Sequence, residues 1–164
     1  MKSSSRKLTI LGAMLSILFV TACGQSGGGT EEDDSPEAEA YRYRESVMHV
    51  AERKMITLGE MAREEIPVDE AVFAKSAVDL ASIAGMVVEG FMPEGAPSSS
   101  KALPEIWSNW DDFVDKADSL KSAADTLAAA VADGGFEAGQ DLVLGMARAG
   151  SCGGCHRIYR RRDE

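Results

Sequence analysis

The segment 104–131, PEIWSNWDDFVDKADSLKSAADTLAAAV, decides the fold. Its apolar residues Ile106, Trp110, Phe113, Ala117, Leu120, Ala124, Leu127 and Val131 follow one another in alternating steps of four and three. That rhythm puts all of them on one stripe of a long helix and leaves the Asp, Ser and Lys residues between them on the other side. A stripe this narrow is the seam of a helix packed at a shallow angle against neighbours, the geometry of bundles.

Working outward, Pro104 suits the first turn of this third helix, and Asp133-Gly134-Gly135 ends it. A fourth helix should then run from about 136 towards 161. Upstream, Ser35-Pro36-Glu37 combines a capping hydroxyl, a proline at a tolerated first position and an acid near the positive end of the helix dipole. The first helix is therefore expected over about 36–65, ending before Pro67. Asp69 can cap a second, which carries Val72, Ala74, Val78, Ala81 and Met86 and fades near Gly90. Residues 92–101 turn to Pro, Gly and Ser and form the longest loop. No segment alternates with a period of two. Only 6% of the 164 residues are aromatic, while Ala, Leu and Met are abundant, a composition that favours helix. These observations predict an all-α single domain, an antiparallel four-helix bundle.

The first 22 residues are an address. A basic start, an apolar run over 8–20 and the small residues before Cys23 have the three parts of a secretory signal, and the run is shorter than the ~20 residues a membrane-spanning helix needs. Val20-Thr21-Ala22-Cys23 resembles a lipobox, so Cys23 is expected to carry lipid and tether the protein to a membrane on the periplasmic side. Residues 23–34 read as a flexible polar tether and 35–164 as the folded domain. Loss of the leader takes away Lys2, Arg6 and Lys7, so the formal charge falls from -10 to -13. Such a field repels nucleic acid. Against that trend, Arg157, Arg160, Arg161 and Arg162 form a basic cluster at the C-terminus.

Beside that cluster stands Cys152-Gly153-Gly154-Cys155-His156, the attachment pattern of c-type haem. On a helix the two cysteines are three residues apart and Cys152 and His156 four, so the three side chains share a face. Two thiols can meet the two vinyl groups on a porphyrin edge while the imidazole reaches iron. Other readings are weaker. Structural zinc wants four ligands, and outside the motif the processed chain offers only His49 and Cys23. A redox dithiol usually accompanies a βαβ pattern, and a plain disulfide leaves His156 without a role. One covalent haem c, with His156 as axial iron ligand near the end of the last helix, is the expectation.

Placement of this motif near the C-terminus, with Tyr43-Arg44-Glu45-Ser46 in the first helix and Leu103-Pro104-Glu105-Ile106-Trp107-Ser108 opening the third, resembles the cytochrome c′ and cytochrome c-556 family, the class II c-type cytochromes. The resemblance spans about 40–161. It implies a left-handed bundle with haem inside one end, five-coordinate in cytochrome c′ and six-coordinate with methionine in cytochrome c-556. It further implies that Arg44 and Glu45 approach the haem propionates, that Met48 is a sixth ligand or a lid over the iron, and that Arg160 packs near the proximal imidazole. Glu45 stands where many relatives carry Gln, which places a negative charge near the propionates. The stretch 85–90 lacks an aromatic found there in some relatives. Arg44 and Met48 are one helical turn apart, so a cation and a thioether share one face, although methionine also serves as ordinary core filler. His49 lies about 100° around the helix from Met48, so both cannot point at one iron; it is expected at the surface or at an interface.

Electron transfer is the leading functional expectation, with an unidentified redox partner. Binding of nitric oxide or carbon monoxide at a five-coordinate iron is the alternative. A haem enzyme is disfavoured because no distal His is placed to act as acid or base. The resemblance also implies a homodimer, for which exposed apolar residues on the first two helices would be the source.

Overall fold

A computed structural model of the chain describes residues 33–146 and 151–162. The leader, Cys23 and most of the tether lie outside the described residues. Among those described there are five α-helices and no strand. Helix α1, Pro36–Ala62, begins as its sequence requires: Ser35 Oγ accepts from the Ala38 N–H at 3.2 Å, with Pro36 in the first turn and Glu37 and Glu39 at the positive end. It stops three residues before the expected Glu65. Glu64 adopts a left-handed conformation (φ 57°) that turns the chain, and the Gln140 amide donates to Ala62 O at 2.8 Å.

Helix α2, Glu70–Ala84, is capped by Asp69, whose Oδ1 accepts from the Val72 N–H at 3.0 Å. It ends before the expected Gly90, and the chain continues through turns into a 3-10 turn, Glu89–Phe91. The third helix is interrupted near its start. Helix α3, Glu105–Ser108, is separated from α4, Trp110–Gly145, by Asn109, whose ψ of 48° is not helical. The seam that begins at Ile106 thus crosses a break at which two short helical runs meet.

The stop expected at Gly134-Gly135 is a sharp bend. Gly135 takes φ 66°, ψ -155° inside α4, and the two halves of α4 supply the third bundle helix and the start of the fourth. Glu70 secures the bend from α2, its Oε2 accepting the Phe136 N–H at 3.1 Å. Gly139 lets the returning half come close: a Cβ there would meet Val131 Cγ2 at 2.5 Å and Phe73 Cε1 at 2.9 Å. The expected fourth helix is likewise two pieces, the second half of α4 and α5, Cys152–Tyr159.

Two apolar clusters fill the bundle. One is aliphatic, with Leu58, Phe73, Ala77, Ala124, Leu127 and Val143 all fully buried. The other is aromatic, built on Val47, Phe91, Ile106, Phe113, Ala117 and Tyr159. The seam residues divide between them, Ile106, Phe113 and Ala117 to the second and Ala124, Leu127 and Val131 to the first. No described helix is long and apolar enough to cross a membrane.

Candidate haem-binding site

Helix α5 carries Cys152, Cys155 and His156 and is held at the aromatic end by contacts on both flanks. Tyr159 O accepts the Leu103 N–H at 3.0 Å, and Arg161 N–H donates to Lys101 O at 2.7 Å. A single antiparallel bridge, Ala102 with Arg160, joins the loop before α3 to the end of α5. From inside, Tyr159 (3% exposed) donates its hydroxyl to Asp112 Oδ2 at 2.5 Å and stacks edge-on against Phe113 at 5.6 Å. Burial and this bond push the Tyr159 phenol up to about 12, while Asp112 is lowered, first by Tyr159 and then by Lys116.

The two cysteines are free and half-buried, and Cys155 packs against the aromatic cluster. Burial raises both thiols, Cys155 to about 11, so both are protonated at neutral pH. A thiol of this kind can add S–H across a vinyl C=C, the sulfur bonding to one carbon and the proton passing to the other. His156 is exposed on the same helix. Crowding by its surroundings and the positive charge of Arg160 lower its pKa, against the opposing pull of Glu52. A neutral imidazole keeps a nitrogen lone pair for a metal.

Across the cluster lies α1. Met48 is half-buried and packs against the same apolar cluster as Cys155, so the expected distal thioether and one attachment thiol share one apolar environment. Arg44, one turn earlier, is 4% exposed. Its guanidinium donates to Gly90 O at 3.3 Å and Gly95 O at 3.1 Å and lies 5.2 Å from the Phe91 ring centroid and 5.8 Å from that of Trp107. Burial lowers its pKa, and its Nε is buried without a partner. A buried cation answered only by carbonyls and ring faces, with an unused donor, is matched to an anion. A haem propionate would supply one, and with the two thiols and the imidazole would complete a donor set that fits haem c.

Glu45 is exposed, and its carboxylate bonds the Tyr41 side chain, raising the Tyr41 pKa. His49 is exposed, as its helical angle from Met48 requires. Arg160 is half-buried and acts on His156 through its charge. Sequence reasoning missed Tyr159, Asp112, Trp107 and Glu52. Tyr159 lies seven residues after Cys152, which puts it on the motif's own face, and that spacing was a usable signal. Asp112, 47 residues away, gave none. Trp107 orders the loop over Arg44 by donating its indole N–H to Phe91 O at 2.9 Å.

Comparison with known proteins agrees with this geometry. The family model described as Cytochrome C' matches residues 39–160. A cytochrome c-554 of Cereibacter sphaeroides is 34% identical over 128 residues, covering 73% of this chain and 79% of that protein. Among solved structures, cytochrome c prime from Shewanella frigidimarina superposes with a TM-score of 0.71 at 26% identity, covering 77% of this chain and 97% of that one. A nitric oxide complex of a variant of cytochrome c prime from Alcaligenes xylosoxidans matches in fold, with a TM-score of 0.67 at 23% identity over 76% of this chain and 95% of that one.

Proposed function

Because this chain belongs to the cytochrome C' family and is a haem-binding c-type cytochrome with one covalent haem c, we propose that it is an exported electron carrier rather than an enzyme. In this reading Cys152 and Cys155 form the two thioethers, His156 is the axial iron ligand, Arg44 pairs with a propionate and Arg160 adjusts the imidazole. Glu45 adds negative charge at the rim. The observation that carries it is the surface position of α5: with its cysteines half-buried and His156 exposed, the edge of the attached group lies within reach of another protein. Protein-film voltammetry tests it. A reversible one-electron wave that survives repeated cycling is expected, and a protein that exchanges no electrons refutes it.

A second reading, binding of nitric oxide or carbon monoxide, is favoured by Met48. Its half-buried side chain packs against an apolar cluster, as a lid would, and a lid admits small neutral ligands where a bond to iron excludes them. The optical spectrum of the reduced protein separates the two: an open high-spin iron favours gas binding, a low-spin methionine-ligated iron favours the carrier.

Cys23 attaches the chain by lipid to a membrane on the periplasmic side in this proposal, on the strength of the leader sequence; Cys23→Ser should release it from the membrane fraction. A homodimer through α1 and α2 is supported by a groove of about 230 Å³ lined by Val47, Val50, Ile83 and Met86, with Val50 47% and Met86 43% exposed. Val50→Glu should yield a monomer in sedimentation.

A further inference from the structure

The C-terminal arginines are the part of this chain that haem binding does not use in full. Arg157, Arg161 and Arg162 are exposed, on α5 and immediately after it. The backbone bond from Arg161 to Lys101 O, at 2.7 Å, ties this run to the loop before α3. Ile158, 47% exposed, follows Arg157 on α5. Arg157 and Ile158 directly follow His156 on α5, so the patch adjoins the helix that carries the ligand imidazole. Two acids, Asp163 and Glu164, follow in sequence, so the run 157–164 carries four arginines against two acids. An exposed branched apolar side chain flanked in sequence by exposed arginines has the composition of an interface centre, where arginine is enriched and an apolar anchor is ringed by polar contacts.

We propose that Ile158 with Arg157, Arg161 and Arg162 is the docking surface for an acidic redox protein, which meets the haem over the end of α5. The proposal rests on the electron-carrier reading and names the partner's chemistry. It runs against the charge of the whole chain, formally -10, which taken alone would favour a basic partner. At physiological ionic strength, however, charges separated by more than about 8 Å are largely screened, so the patch in contact governs the encounter. The same argument favours a protein over a lipid surface. An acidic patch on a protein can meet the arginines alone, whereas a flat anionic membrane would also approach the acidic remainder of the chain.

Stopped-flow oxidation of the reduced holoprotein is the test. One electron leaves the protein and converts hexacyanoferrate(III) to hexacyanoferrate(II), or tris(phenanthroline)cobalt(III) to the cobalt(II) complex. The rate with the hexacyanoferrate anion should fall by roughly threefold as salt rises from about 0.02 to about 0.3 M, and the rate with the cobalt cation should rise. Arg157→Gln with Arg161→Gln should flatten both slopes and leave the haem spectrum unchanged. Reduction of the oxidised protein by flavodoxin hydroquinone, an acidic one-electron donor, should slow by roughly fivefold in Ile158→Ser, since the lost contact is an anchor at the interface centre. A hexacyanoferrate rate that rises with salt overturns the proposal. So does binding to phosphatidylglycerol vesicles, beyond that to phosphatidylcholine, that the arginine substitutions abolish while flavodoxin kinetics stay at the wild-type rate. Failure to exchange electrons with any reagent instead defeats the carrier reading itself.

Discussion

The two ends of the bundle are built on different principles. The aliphatic end is closed: Leu58, Phe73, Ala77, Ala124, Leu127 and Val143 have no exposed surface, and they come from α1, α2 and the two halves of α4. The aromatic end is assembled from more pieces, α1, the 3-10 turn, α3, α4 and α5, and mixes buried rings with half-buried Met48 and Cys155. It also encloses polar groups with specific demands, the Arg44 guanidinium and the Tyr159 to Asp112 bond. Apolar packing is complete at the first end by itself. The second has the chemical inventory of a site, with thiols, an imidazole and a buried cation that keeps one unused donor around an apolar lining. Stability is concentrated at one end and function at the other.

The sharpest way to break this contrast is at Phe73, the closed end's largest fully buried side chain. Phe73→Ala should cost about 3–5 kcal/mol, with or without haem, because the cavity has no cofactor to fill it. Chemical denaturation of haem-loaded and haem-free protein measures both values. A cost that vanished without haem would show that the aliphatic end is not an independent core.

Arg44 tests the other side of the contrast with a smaller effect. Arg44→Leu should lower the stability of the haem-loaded protein by about 1–3 kcal/mol, the scale of a lost charged hydrogen bond. In the haem-free chain it should cost little, since a buried cation held only by carbonyls brings its desolvation penalty with it. Equal losses in both forms would remove the argument that the guanidinium is matched to an anion.

How much of this was legible in the sequence follows the same division. The four-and-three seam from Ile106 to Val131, the Ser35 and Asp69 caps and the glycine pair after Asp133 are local signals, and they located the starts of the first three helices and the bend into the fourth to within a few residues, while the end of the second was set six residues too late. What failed was local too: Asn109 breaks a helix its neighbours promote, and Gly135 bends the chain so tightly that the helices on either side run on without a loop. The motif at 152–156 fixed the chemistry because its spacing is a geometric requirement of the porphyrin edge. Burial of Arg44 under Phe91 and Trp107 followed from the family resemblance only as a role, since the carbonyls of Gly90 and Gly95 lie 46 and 51 residues away and leave no mark on the first helix. The Tyr159 to Asp112 bond is equally non-local.

That bond gives a pH signature. Tyr159 has its pKa raised to about 12, so its contribution is complete below the ordinary phenol value near 10 and is lost as pH climbs through about 12. Asp112 is lowered, so its share is present above the ordinary carboxyl value and disappears as pH falls through its folded value. Among the protein's 3 tyrosines, Tyr159 should therefore be the last to ionise in an alkaline absorbance titration. Tyr159→Phe should delete that step and lower the melting temperature at neutral pH by roughly 5 °C. A variant whose melting temperature is unchanged would mean that the backbone bonds from Leu103 and Arg161 hold α5 without help.

Met48 should give the smallest stability effect and the most specific functional one. It is half-buried, so Met48→Ala removes part of a side chain's packing and should cost about 1 kcal/mol, below the usual range for fully buried methionine. Its place is set by spacing: one turn after buried Arg44, against the cluster that also takes Cys155. If haem occupies that environment, the thioether either bonds the iron or covers it, and in both cases its loss opens the distal side. Carbon monoxide should bind the reduced variant faster than the wild type. The starting spectrum then separates the roles. A ligating Met48 gives a low-spin wild type that the substitution turns high-spin, and a covering Met48 gives a high-spin wild type that stays so. The covering role is the one expected here, since the Tyr43-Arg44-Glu45-Ser46 segment before it resembles cytochrome c′ more than cytochrome c-556. If neither spin state nor the carbon monoxide rate responds, Met48 is core filler of the aromatic cluster, and the iron's open face must meet another residue of α1 or α2.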